Sequence, residues 1–338
     1  MATDGKSTHQ ALIDAANSFQ RLGLWEQYAN EDGFAVNVSG EKPPLFGVIL
    51  GAAGEEYGLS FMRGDRAFNW LLATLRGDGG PDRIEEIGSI GFSMTPLGQL
   101  PPDIRKQFGR TRPSAEVPLF LAKHPHKRTR MINARETRLM LRVLNGLLKA
   151  HQNGMLTPKS VLHHRDVLTL TITGDAANPE VQATWVAYSE QPPPRPNIEI
   201  VLPDHIKSLP VLPCRWLIGC PALPVAIEGD DRTVRAIIIA NAASGVIVGI
   251  SLMTGDKMTE GCNHVIDTFE SNFTGMKGIP REVVFSSRGL FDILLPAFEP
   301  LGVHCVYEAS IPMLERIVAD LGTRLMPGAI KKSRRKRK

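Results

Sequence analysis

Apolar positions along this chain follow two rhythms. Residues 10–22 place Leu12, Ile13, Ala16, Phe19 and Leu22 at helical spacing, and Gly23 stands where a helix would stop. Short β-branched and aromatic runs follow at 34–38, 45–50 and 57–62, separated by Gly51, Gly54 and Gly58, and these predict strands. Residues 65–75 predict a helix with Asp65 as its cap, and 87–94 a strand. Residues 133–151 form the strongest helical pattern, with Leu139, Val143 and Leu147 on one face. The runs at 166–173 and 181–189 flank a GDAANP turn and predict paired strands. Residues 95–130, rich in proline and basic residues, predict irregular chain.

A second rhythm begins after residue 213. Strands are predicted at 215–219, 235–240, 246–253, 282–285 and 303–307, and helices at 258–273, 290–301 and 312–321. The order is β-β-β-α-β-α-β-α, which implies a mixed sheet with helices on its faces. Between the halves lies a stretch with Pro192, Pro193, Pro194, Pro196, Pro203, Pro210 and Pro213. Proline fixes φ and removes a donor, so this stretch predicts a linker. The pattern therefore divides into an α+β N-terminal domain (1–190), a linker (191–213), an α/β domain with a mixed sheet (214–325) and a basic tail expected to be disordered (326–338).

Residues 236–255 are twenty consecutive residues without a charge, long enough to span a bilayer. Their centre, Asn241 to Gly245, is turn chemistry between β-branched runs, so a hairpin of buried strands explains them and no membrane span is expected. The first residues are polar, without the apolar core of a secretory signal. Four cysteines among 338 residues fit a reducing cytoplasm rather than a disulfide framework.

Charge changes the picture. The formal net charge is +4, but the last eight residues, KKSRRKRK, hold seven basic side chains, and the remaining chain is −3. Residues 103–142 carry 11 basic and 3 acidic side chains. These two segments supply the candidate polyanion-binding residues. They are Arg110, Arg112, Lys123, Lys127, Arg128 and Arg130 in the body, and Lys331, Lys332, Arg334, Arg335, Lys336, Arg337 and Lys338 in the tail.

Other constellations fall short of a chemistry. His124 and His126, and the pair His163 and His164 near Asp166, lack the spacing or companions of a metal site. Cys214 and Cys220 form one loose pair where a zinc ribbon needs two short knuckles. Cys262 with His264, or Cys305 with His304, is conceivable as a nucleophile pair, but no oxyanion motif accompanies either. The glycines of 51–58 recur at turn spacing, and Glu55 and Glu56 would repel phosphate. No catalytic residue, metal site or cofactor is expected.

The segments GLWEQYANEDGFAV (23–36), FGVILGAAGEEYGLSFMRG (46–64) and ARETRLMLRVLNGLL (134–148) resemble a family of bacterial domains catalogued without a known function. That domain is often followed by a second uncharacterised one, which residues 210–322 resemble. The second half is also similar, in strand order and in residues 235–252 and 280–303, to the RNase H-like core of transposases and integrases. Such cores hold two Mg²⁺ ions on carboxylates at the ends of the first and fourth strands and on a later helix. The corresponding positions here are Gly219 and Ser287, with Glu315 and Asp320 on the last helix. The resemblance thus implies a core without its metal carboxylates.

The expected function is a non-catalytic cytoplasmic binding protein whose partner is nucleic acid or another polyanion. Two alternatives stay open: a module that binds a protein partner, and an enzyme with a site between the domains drawing on His163, His164 and Asp166.

Overall fold

The computed structural model describes residues 4–29, 31–54, 56–76, 87–108, 112–162, 166–191, 200–223, 225, 230–254, 257–271, 275 and 277–325. The chain divides into two compact units, one formed largely by its first 191 residues and one by the remainder, which also takes in Pro125–Arg128. Both combine helices with a mixed sheet.

The first unit is built on an eight-stranded sheet in the order β6-β5-β4-β3-β2-β1-β7-β8. Its strands are β1 (Gly33–Val38), β2 (Leu45–Leu50), β3 (Gly58–Arg63), β4 (Gly88–Pro96), β5 (Glu116–Lys123), β6 (Arg130–Met131), β7 (Asp166–Thr173) and β8 (Glu180–Ala187). All neighbours are antiparallel except β1 and β7, which run parallel. Helices α1 (Asp4–Arg21) and α3 (Ala134–Gln152) cover one face, where Leu12, Phe19, Leu144 and Leu147 bury against Val36, Phe61, Phe92 and Leu170. The shorter helix α2 (Ala67–Leu75) lies on the other face, with Phe68, Leu71 and Leu72 against Phe46 and Val48. Gly146 lets α3 lie close on β7, because a Cβ there would fall 2.3 Å from Ile172 Cδ1.

Two local expectations are corrected. Residues 116–123 form a regular strand inside the stretch that predicts irregular chain. Pro118 is tolerated because β6 pairs only with Leu121 and Ala122, so at Pro118 the strand has one described neighbour, β4. Asp65 does not cap α2, which begins after Arg66 without a side-chain cap. By contrast, α3 starts on a complete capping box. Asn133 Oδ1 accepts from the Glu136 amide, and Glu136 Oε2 accepts from the Asn133 amide, each at 3.0 Å.

The second unit holds a five-stranded sheet in the order β11-β10-β9-β12-β13. The strands are β9 (Val211–Gly219), β10 (Val234–Asn241), β11 (Ile247–Thr254), β12 (Ile279–Phe285) and β13 (His304–Tyr307). β10 is antiparallel to both neighbours, whereas β9, β12 and β13 are parallel. Helices α4 (Met258–Glu270) and α5 (Arg288–Phe298) pack Val265, Phe269, Leu294 and Phe298 against Trp216, Ile237, Val283 and Phe285. Helix α6 (Pro312–Leu325) covers the opposite face, where Leu314 meets Leu217, Ile238 and Val284. The uncharged run at 236–255 is explained by this layering. Ile237 and Ile239 enter one core and Ala236, Ile238 and Ala240 the other, so β10 is apolar on both faces. Among the described residues, no helix is long and apolar enough to cross a membrane.

Candidate functional site

The parallel pairing of β9 with β12 sets their carboxyl ends side by side. Ile218 is in register with Phe285, and the Ser286 amide donates to the Ile218 carbonyl at 2.9 Å. Gly219 and Ser287 therefore stand at neighbouring strand ends. Neither position is open. A Cβ added at Gly219 would lie 2.8 Å from Ser286 Oγ and 2.9 Å from Leu314 Cδ1. Ser287 is fully buried, and its Oγ accepts from the Leu290 amide at 3.3 Å, which caps α5. On α6, Glu315 accepts a hydrogen bond from Ser310 Oγ at 2.5 Å. Just past Gly219, buried Arg235 donates from Nε and Nη2 to the Cys220 carbonyl at 3.0 and 2.7 Å. Apolar filling, a capping hydroxyl and a buried cation are the opposite of what a pair of Mg²⁺ ions requires.

This packing makes a graded prediction. Gly219→Ala should lose about 1 kcal/mol, since the end of Leu314 and the Ser286 hydroxyl must both give way. Gly219→Asp should lose about 1–3 kcal/mol, because it adds a charge to a filled site. Urea unfolding of both variants checks the order.

The basic segment is dispersed by the fold. Arg112 is exposed, while Lys123 is buried at the end of β5 opposite Ser89. Within the second unit, Lys127 Nζ donates to Asp231 Oδ2 at 2.9 Å, and Arg128 Nη2 donates to the Asp230 carbonyl at 2.6 Å. Hydrogen bonds from the Arg232 side chain and amide hold the Asp230 carboxyl down at about 2. The Lys127 ammonium likewise lowers Asp231. Asp231, about a hundred residues away in the chain, thus offsets Lys127, while the Asp230 carboxylate is held chiefly by Arg232. Arg110, His163 and His164, and tail residues Lys331 to Lys338, lie outside the described residues. Asp166 opens β7 and is exposed.

A second charge cluster is one that sequence reading misses. Glu136 is buried in the first unit, and its carboxylate is saturated. Oε1 accepts from Arg63 Nη1 and Arg130 Nη2, each at 3.0 Å. Oε2 accepts from Arg130 Nη1 at 2.7 Å and the Asn133 amide at 3.0 Å. Arg130 Nη2 also donates to His124 Nε2 at 3.0 Å. Burial pushes the Glu136 carboxyl up, but the hydrogen bonds from Arg130, the Asn133 amide and Arg63 outweigh it and hold the group below its ordinary value. The N-x-x-E spacing of the capping box was the available signal for one half of this cluster.

The thiols are placed for packing. Burial pushes the Cys262 thiol up to about 12, and burial with Glu299 pushes Cys305 up to about 11. Burial also lowers His264, so Cys262 and His264 are not an activated pair. At pH 8, native Cys262 should carry roughly 1000-fold less thiolate than an ordinary thiol. Mass spectrometry after iodoacetamide should find it unmodified in native protein and alkylated in urea. Among the described residues, no group of three His, Cys, Asp or Glu side chains could hold a metal ion.

Residues 9–171 match a family model described as a domain of unknown function (DUF7309). Residues 204–322 match a second, described as a domain of unknown function (DUF6930). In this order the two fit a two-domain family of uncharacterised role. No curated protein matches the chain.

Proposed function

We propose, starting from this tandem of uncharacterised domains, that the chain is a non-catalytic binding protein with nucleic acid as its partner. Its second unit is read as an RNase H-like scaffold. A strand order of β11-β10-β9-β12-β13, with the second strand in sequence antiparallel and the last two parallel to the first, supports that reading. The observation that carries the non-catalytic assignment is the filling of Gly219 by Leu314 and Ser286 beside the capping Ser287. A two-metal nuclease needs carboxylate oxygens at those strand ends, and the chain supplies a hydrogen atom and a hydroxyl.

Affinity is assigned mainly to the tail, residues 331–338. Its seven cations have no acid among them, whereas Lys127, Arg128 and Arg130 of the body already bond to Asp231, the Asp230 carbonyl and Glu136. The chain's four free cysteines, two of them buried, fit a protein of the reducing cytoplasm.

The test is fluorescence anisotropy with labelled duplex and single-stranded oligonucleotides, for the full chain and for a chain ending at residue 330. Binding of the full chain should weaken steeply with salt, and removing the tail should reduce the log–log slope by up to about 6. Absence of binding at low salt, or binding indifferent to the tail, contradicts the proposal.

A further inference from the structure

We infer that the second unit contains a binding site for a single-chain organic monoanion such as a medium-chain carboxylate. The site is a cavity of about 450 Å³ between residues 200–211 and the end of α5. That volume lies within the range of small-molecule sites, and the site opens to solvent along one side. Its walls are apolar, with Leu202 and Ile279 facing Pro296 of α5 and Pro300 of the turn that follows. Both prolines have fixed φ, so this wall is stiff. Val211, part of the lining, is 55% exposed, so the mouth is apolar too. An apolar mouth leading onto apolar walls favours a ligand with a hydrocarbon body.

One side chain of the lining is charged, and it selects the head group. Lys207 pairs at 2.9 Å with Asp204, itself 97% exposed. A solvent-exposed pair of this kind contributes little and can be exchanged for a ligand carboxylate. A small inorganic anion would make no use of the apolar walls, and a neutral hydrocarbon would make no use of Lys207. An amphiphile with one negative head uses both. This site is independent of polyanion binding, since its residues are neither in the tail nor in the 110–130 segment.

Calorimetric titration of the full chain with decanoate, below its micellar range, tests the assignment, with decanol and decyltrimethylammonium as controls. Decanoate should show one saturable site, about tenfold tighter than decanol, and the cation should show none. Lys207→Met should bring decanoate to the affinity of decanol. Val211→Trp, at an exposed edge position, should weaken both by about tenfold by filling the mouth. No saturable decanoate binding, equal affinity for decanoate and decanol, saturable binding of the cation, or unchanged decanoate affinity in either variant overturns the inference.

Discussion

Replacing Glu136 by alanine is expected to destabilise the first unit by about 3 kcal/mol. Removing one partner from a buried ion pair typically costs about 3–5 kcal/mol, because the remaining charge is left uncompensated. The lower end applies here, since the side chains of Arg63 and Arg130 keep 26% and 39% of their exposure. The same substitution removes the side-chain half of the α3 capping box. Glu136→Gln should lose less, as its amide oxygen can still accept from an arginine or from the Asn133 amide. The pH dependence follows from the lowered carboxyl. Its contribution is complete above the unfolded-state value, near 4.3 for glutamate, and is lost as pH falls through the lower folded value. The stability gap between wild type and Glu136→Gln should therefore be constant near neutral pH and should close only in acid. Urea unfolding over that range measures it, and a gap that widens in acid would contradict the charge assignment.

Trp216→Ala should cost the second unit about 3–5 kcal/mol. Trp216 is 2% exposed on the central strand β9, and its ring centroid lies 5.5 Å from that of Phe269. The rings of Phe269, Phe298 and Phe285 continue the cluster of tilted aromatics at centroid spacings of 5.4 and 6.3 Å. Truncation leaves a cavity between the sheet and two helices, and rigid aromatic neighbours collapse poorly into it. Trp216→Phe fills most of the space and should lose markedly less. Differential scanning calorimetry of the two variants checks the ratio, and equal losses would show that volume does not govern the site.

Elements that carry their own local signal were legible in the sequence. Helix α3 announces itself by apolar spacing and by Asn133 at its start. The hairpin of β10 and β11 announces itself by β-branched runs around Asn241, whose Oδ1 accepts from the Ala243 and Ser244 amides to form the turn. Strand β5 is obscured because Pro118 and the neighbouring prolines look like a break, and only the pairing with β4 shows why proline is accepted. Contacts across long sequence separations are the least legible. Nothing local joins Arg63 to Glu136 or Lys127 to Asp231, so windowed charge counts register a basic segment where the fold supplies acids. At the second sheet, the register of the strands makes the absence of acids at 219 and 287 readable. The closure of that space by Leu314, almost a hundred residues further on, is not.

The proposal is that the chain holds nucleic acid mainly through its tail, while the paired ends of β9 and β12 cleave nothing. Its most direct test incubates the full chain with end-labelled DNA, RNA and an RNA–DNA hybrid at low salt in Mg²⁺ or Mn²⁺, following retention and strand length in the same samples. Salt-sensitive retention is expected, with every strand remaining at full length. Cleavage that requires the divalent ion and disappears with a chelator would contradict it.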